Sequence, residues 1–225
     1  MDGNQVFMLG LGLQAPWKIV DQHLDTTKKP NDLTFNVGAE RGSLYLCPKC
    51  DKACQAHDFK ELTWQHLNFF QHHCYIKAKV PRTRCEEHGI HRVKVPWARE
   101  NSKFTLLFEQ ALLTLVREMP VKACAKYVGV NDKRIWRVIK HYVSQALMEM
   151  DLSALKAIGL DETASKRGHN YVTVFIDMDR NDKPVVFATP GKGKDTVKQF
   201  RAFLEEHRGQ ANNVLEVVCD MSPAF

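Results

Sequence analysis

No apolar run in this 225-residue chain approaches the roughly 20 residues that span a bilayer, so no membrane-crossing helix is expected. The opening residues, Met1-Asp2-Gly3-Asn4, lack the basic stretch that begins a secretory leader. Internal repeats and low-complexity tracts are also missing, which argues against a solenoid or a disordered tail. A nucleotide-binding P-loop is excluded at the one place that suggests it. The run Gly191-Lys192-Gly193-Lys194 would need glycine at 188 and a hydroxyl residue at 195, and Ala188 and Asp195 stand there.

What is present describes a globular chain. Hydrophobic residues make up 44% and charged residues 26%, enough to build a core. Seven cysteines without a leader predict a reducing cytoplasmic setting, with thiols used for metal rather than for disulfides. The net charge is +6 and unevenly spread: residues 77–140 hold 15 Lys/Arg against 6 Asp/Glu. A basic middle predicts a polyanionic partner there.

Residues 5–46 read as short strands. Leu33, Phe35 and Val37 alternate with polar residues, and Trp17–Val20 is a candidate partner strand across a turn-rich segment. Next comes the Cys/His-rich stretch. Cys47-Pro48-Lys49-Cys50 and Cys85-Glu86-Glu87-His88 each place two ligands on one tight turn, and together they offer the four ligands of a structural zinc site. Cys54, His57, Cys74 and His91 are also available, and His91 is an alternative to His88. Cys124 and Cys219 fall in helix and strand patterns and are expected to be core thiols.

Residues 96–102 read as a linker. Helical spacing begins at Phe104 and stops at Pro120. Val121–Val138 then fits a helix-turn-helix. Ala125 is small enough for the helix crossing, and Gly129 suits a left-handed turn. Val128, Val130, Ile135 and Val138 take the buried positions, with Trp136 assigned to the core. Asn131 or Asp132 caps the second helix. Lys133, Arg134, Arg137 and Lys140 are left as an exposed face suited to the major groove of double-stranded DNA.

From Ile158 the expected order is strand, strand, strand, helix, strand. The first three would form an antiparallel meander, and the helix would lay the fourth parallel to the first. That is the opening half of a ribonuclease-H-like domain. Asp161 lies in the first of these strands and Asp220 closes the last. Neighbouring strands would then bring their carboxylates together to hold Mg²⁺ for two-metal phosphoryl transfer. Glu162 faces away from Asp161. Asp177 and Asp179 are accounted for by turn chemistry.

The chain resembles the ISL-three family of insertion-sequence transposases, bacterial enzymes of the DDE type. The knuckle at Cys47–Cys50 with its partner at Cys85, the helix-turn-helix from Val121, and the stretches Gly159–Thr163, Gly168–Val174 and Cys219–Phe225 carry the resemblance. It implies an α+β multidomain chain: a β-rich region at 1–95 with a zinc ribbon at 47–92, a helical DNA-binding domain at 103–152, and a truncated catalytic domain at 156–225. It further implies structural Zn²⁺, catalytic Mg²⁺ on Asp161 and Asp220, and association with the nucleoid. The implied partners are double-stranded DNA at terminal inverted repeats, bound by the zinc ribbon and the helix-turn-helix, and further copies of the chain in a homo-oligomer. Two departures stand out. His88 replaces a more usual cysteine, and the family's catalytic glutamate lies beyond Phe225. The resulting expectation is an N-terminal portion that is inactive alone. The competing expectation is a non-catalytic zinc and helix-turn-helix DNA-binding regulator.

Overall fold

The computed structural model describes residues 3–40, 42–166 and 170–219. The chain divides into two compact units, Met1–Lys140 and His141–Phe225.

The first unit opens with a helix, α1 (Gly3–Gly10), where the sequence pattern suggested strand. Phe7 and Met8 of this helix pack on the neighbouring core, with the Phe7 and Phe35 rings 5.3 Å apart. Strands β1 (Trp17–Asp25) and β2 (Asp32–Ala39) pair antiparallel as expected, from Trp17↔Ala39 to Asp25↔Asp32. Phe35 and Val37 are buried on one face of β2. A two-residue hairpin follows, β3 (Tyr45–Leu46) with β4 (Ala53–Cys54).

Two long antiparallel strands come next, β5 (Ala56–Phe69) and β6 (His72–Cys85), and then β7 (Gly89–Arg92) pairs back on β6. The sheet order is β1-β2-β6-β5, with β2 and β6 parallel. Alternating Cys74, Ile76, Ala78 and Val80 give β6 a buried face at the centre of the core. Trp17, Trp64 and Trp97 pack edge-to-face beside them.

Residues 96–102 are not a loose linker. Trp97, Ala98 and Ser102 are buried, and Arg99 and Ser102 bond the buried carboxylate of Glu109 at 2.8 and 2.6 Å. Glu109 lies on α2 (Leu106–Glu118), which Thr105 caps by accepting from the Phe108 N–H. A charge taken fully out of water needs such partners, so the approach to α2 is held against it. The helices α3 (Val121–Val128) and α4 (Asp132–Glu149) follow.

The second unit has the expected order. Strands β8 (Ala157–Lys166), β9 (Asn170–Asp177) and β10 (Val185–Pro190) form a meander. Helix α5 (Lys194–Glu206) then crosses to β11 (Glu216–Cys219), which lies parallel to β8. The sheet order is β10-β9-β8-β11. One sheet face is covered by α5, where Phe175 and Phe200 stack at 4.3 Å and Leu160 and Leu204 are buried. Strand β11 is exposed throughout, so Cys219 is not the core thiol its strand pattern suggested. Among the described residues β11 pairs with β8 alone, which leaves it at a sheet edge. Cys124, by contrast, is fully buried on α3.

Candidate metal centre and nucleic-acid interface

The two knuckles meet because of the long hairpin. Strand β5 carries the chain away from the first knuckle and β6 returns it, which accounts for the 34-residue gap between Cys50 and Cys85. At the first turn the Asp51 N–H bonds the Cys47 carbonyl and the Cys47 N–H bonds the Lys52 carbonyl, both at 2.9 Å. At the second, Gly89 takes φ +74°, which lets β6 reverse into β7. A Lys52–Glu87 ion pair ties the two turns together.

The ligand atoms of Cys47, Cys50, Cys85 and His88 all lie within 4.8 Å of one another. Cys50 and Cys85 sulfurs are 3.8 Å apart, and His88 Nδ1 is 3.6 Å from Cys85 and 4.0 Å from Cys47. A tetrahedral Zn²⁺ with usual bond lengths requires about 3.8 Å between sulfurs and about 3.6 Å between sulfur and nitrogen. The four residues therefore fit that ion. The His88 ring, followed by the backbone N–H groups of His88 and Glu87, draws the Cys85 thiol down to about 6. A thiolate is the form a metal binds.

The other candidates are not among these four mutually close ligands, although Cys54 lies near Cys85. His91 Nε2 bonds the His88 carbonyl at 2.7 Å, so it positions the turn. Cys74 is buried in the sheet core, where burial pushes its thiol up to about 12. Cys54 Sγ bonds the Lys52 carbonyl.

Helices α3 and α4 are joined at Gly129, which has φ 69° and ψ 30°. The Val130 N–H reaches back to the Ala125 carbonyl, closing the end of α3. Asn131 and Asp132 both accept from the Lys133 N–H, so both cap α4. Ala125, Val130, Ile135 and Val138 are buried as expected, and Val128 is half-buried.

Lys133, Arg137 and Lys140 are exposed on α4. Arg134 is not on that face. It is half-buried with its guanidinium 4.2 Å from the Phe104 ring centre, and burial lowers its pKa. The reason is helical spacing: Arg134 lies one turn before buried Val138. Trp136 is 55% exposed, which corrects its assignment to the core. It shares the face of Lys133 and Lys140, three positions before and four after. That i, i+3, i+4 relation is present in the sequence, where the apolar ring alone argues for the core.

Asp161 is exposed on β8, paired in register with Val174, and no described residue bonds its carboxylate. Glu162 points the other way and accepts from the Gly193 N–H at 2.9 Å, at the start of α5. Asp177 accepts from the Asp179 N–H, and Asp179 from the N–H groups of Lys156 and Ala157, so both are turn residues. The last described pair of the β8–β11 ladder is Leu160↔Cys219. Asp161 is the next residue on one strand, and Asp220 lies outside the described residues.

Family models match this layout along the chain. Residues 45–88 match the zinc-finger of transposase IS204/IS1001/IS1096/IS1165, and residues 93–143 the helix-turn-helix domain of transposase family ISL3. Residues 158–225 match the ISL3 DDE model, described as a transposase. The chain belongs to the ISL3 transposase family.

Among its relatives is the transposase for insertion sequence element IS1557 of Mycobacterium tuberculosis (strain H37Rv), 30% identical over 165 residues, covering 70% of this chain and 36% of the relative. Another is the transposase for insertion sequence element IS1001 of Bordetella parapertussis, 26% identical over 182 residues, covering 80% of this chain and 44% of the relative. This ISL3 chain thus spans less than half the length of these curated relatives. No solved structure matches it. Among the described residues, no helix is long and apolar enough to cross a membrane.

Proposed function

We propose that this ISL3 chain recognises duplex DNA at the terminal inverted repeats of an insertion sequence. In the complete enzyme it would contribute part of the site that cleaves and joins strands there. The observation that carries the reading is the helix-turn-helix itself. Its left-handed Gly129 turn and doubly capped α4 leave Lys133, Arg137 and Lys140 exposed together. Arginine reads guanine edges and lysine meets phosphate. Arg134, stacked on Phe104, fixes the start of the helix rather than leading the contact.

Around that unit the proposal sets three working parts: the ribbon region at 1–95, the helical domain at 103–152, and the catalytic portion from 156. Structural Zn²⁺ would be held by Cys47, Cys50, Cys85 and His88, whose spacing fits it. The catalytic portion would have a ribonuclease-H-like fold, which its β10-β9-β8-β11 order supports. Asp161 and Asp220 would serve as ligands of Mg²⁺, and the exposure of Asp161 supports this. The metal, when bound, polarises phosphoryl oxygens and activates the attacking hydroxyl. Assembly as a homo-oligomer belongs to the same proposal.

A duplex copied from the sequence bordering the gene, compared with a scrambled one, tests the recognition step in footprinting. Protection of the bordering duplex should be lost on Arg137→Ala. Equal protection of both duplexes would overturn the reading. Binding without magnesium-dependent cutting by the complete enzyme would instead favour the regulator.

A further inference from the structure

A cleft of about 760 Å³ opens in the first unit between the middle of β5, strand β7 and the segment leading to α2. The first knuckle forms one lip, and Lys49, between Cys47 and Cys50, lines it. The charge in this cleft is one-sided. Lys49, Lys60, Lys94 and Lys103 line it, all four exposed, and none has an acidic partner among the described residues. Arg92 joins them and bonds the neutral amide of Asn101 at 3.1 Å. Of the two lining acids, Glu61 is paired with Lys77 at 3.0 Å, which leaves Glu100. Trp64, Val80 and Val95 supply apolar wall. A concave surface with one sign of charge and low-dielectric walls concentrates the field on an incoming counter-charge.

We propose that this cleft is a second DNA contact, seating the phosphodiester backbone of a duplex apart from the recognition helix. It rests on the DNA-binding reading above and adds a surface to it. Dispersed single lysines suit a chain of phosphates better than one small anion, which would meet one or two of them. The distance also suits one duplex. The His73 ring on β6 lies against Gly129, and Val80 on the same strand reaches the cleft. Seven strand residues span about 23 Å, less than the roughly 34 Å of a DNA turn. Zinc held by Cys47, Cys50, Cys85 and His88 would fix the turn that presents Lys49 to the cleft.

The test uses the zinc-loaded full chain and a labelled mixed-sequence duplex, with affinity followed by anisotropy across a salt series. Lys49→Gln, Lys60→Gln, Lys94→Gln and Lys103→Gln combined should lower the log–log salt slope by about 3 to 4 and weaken binding about tenfold or more. All four side chains are exposed, and an unchanged circular dichroism spectrum and zinc content would show that the fold survives. A charge-matched variant at exposed Lys156, Lys183, Lys194 and Lys198 should change the slope by less than about 1. An unchanged slope in the cleft variant, or an equal fall in both variants, would overturn the proposal. So would inorganic phosphate erasing the cleft effect at constant ionic strength, since that marks a small-anion site. Arg137→Gln separates the two readings. If it weakens binding while the cleft variant does not, the cleft fails and the recognition helix stands; if neither matters, both fail.

Discussion

His66 shows how a single side chain sets the joint between sheet and helices. It is buried on β5, with Nδ1 2.9 Å from the Thr105 hydroxyl. That hydroxyl also accepts from the Phe108 N–H and keeps a proton it can offer to Nδ1 of a neutral ring. Burial pushes the ring pKa down to about 4. The unfolded chain takes up that proton near 6.5, so it binds more protons than the native chain between the two values. Stability is therefore fully present above about 6.5 and falls as pH drops toward 4, by about 3 kcal/mol for this group. His66→Gln should flatten that part of a urea-denaturation pH profile, and an unchanged profile would refute the assignment. A pair of neighbours on α4 gives a second prediction. Ile135→Ala should cost about 3 kcal/mol, because the side chain is fully buried. Trp136→Ala should cost under about 1 kcal/mol, because more than half of it is in water. Equal losses would mean the helix is turned differently. These two residues also mark what was legible. Ile135, Val138 and Gly129 followed from spacing and backbone chemistry. Trp136 and Arg134 did not, because an aromatic ring favours the core and a guanidinium favours water, whereas the i, i+4 relation to buried Val138 turns Arg134 inward.

Pattern predicted elements well where neighbours in sequence form them. The meander of β8, β9 and β10 and the parallel return of β11 were readable from alternating runs and one amphipathic helix. The β5–β6 hairpin is not, because three successive buried residues on β5, Trp64, Gln65 and His66, break the two-residue period, and that hairpin is what brings the Cys50 and Cys85 sulfurs to 3.8 Å. The Trp97–Ser102 segment was missed for another reason: its partner is a buried Glu109, a contact no local pattern announces. The zinc prediction belongs at this scale. Tyr45 aside, the buried core of the first sheet draws on the segment before β1, on β1, β2, β5, β6 and on the stretch from Val93 to the approach to α2, and not on the four ligands. Chelating the ion should therefore raise amide exchange in residues 45–54 and 85–92 while β1 and β2 keep their protection. Cys85→Ser should reduce bound zinc from about one per chain to near none by elemental analysis. Uniform loss of protection across the sheet would show instead that the metal holds the whole unit.

Charge divides the molecule along the same line as its cores. Met1–Lys140 carries 22 Lys/Arg against 14 Asp/Glu, and His141–Phe225 carries 10 against 12. The entire positive surplus thus lies in the unit that holds the Cys47, Cys50, Cys85 and His88 cluster, the basic cleft and the exposed lysines and arginine of α4. Phosphate neutralisation supplies most of sequence-independent DNA affinity, so the second unit, slightly acidic, has little to add to it. The two hydrophobic cores are also distinct: one centres on Ile76 and Trp97, the other on Phe175 and Phe200. A chain shortened to end at Met150 keeps all of α4 and the first core. It should fold and bind a mixed-sequence duplex within about threefold of the full chain, with a salt slope changed by less than about 1. Loss of binding by the shortened chain despite a cooperative thermal transition would place essential phosphate contacts on the second unit. The acidic balance there would then have to mask a local basic surface, and the search for it would begin at Lys192, Lys194 and Lys198 around the start of α5.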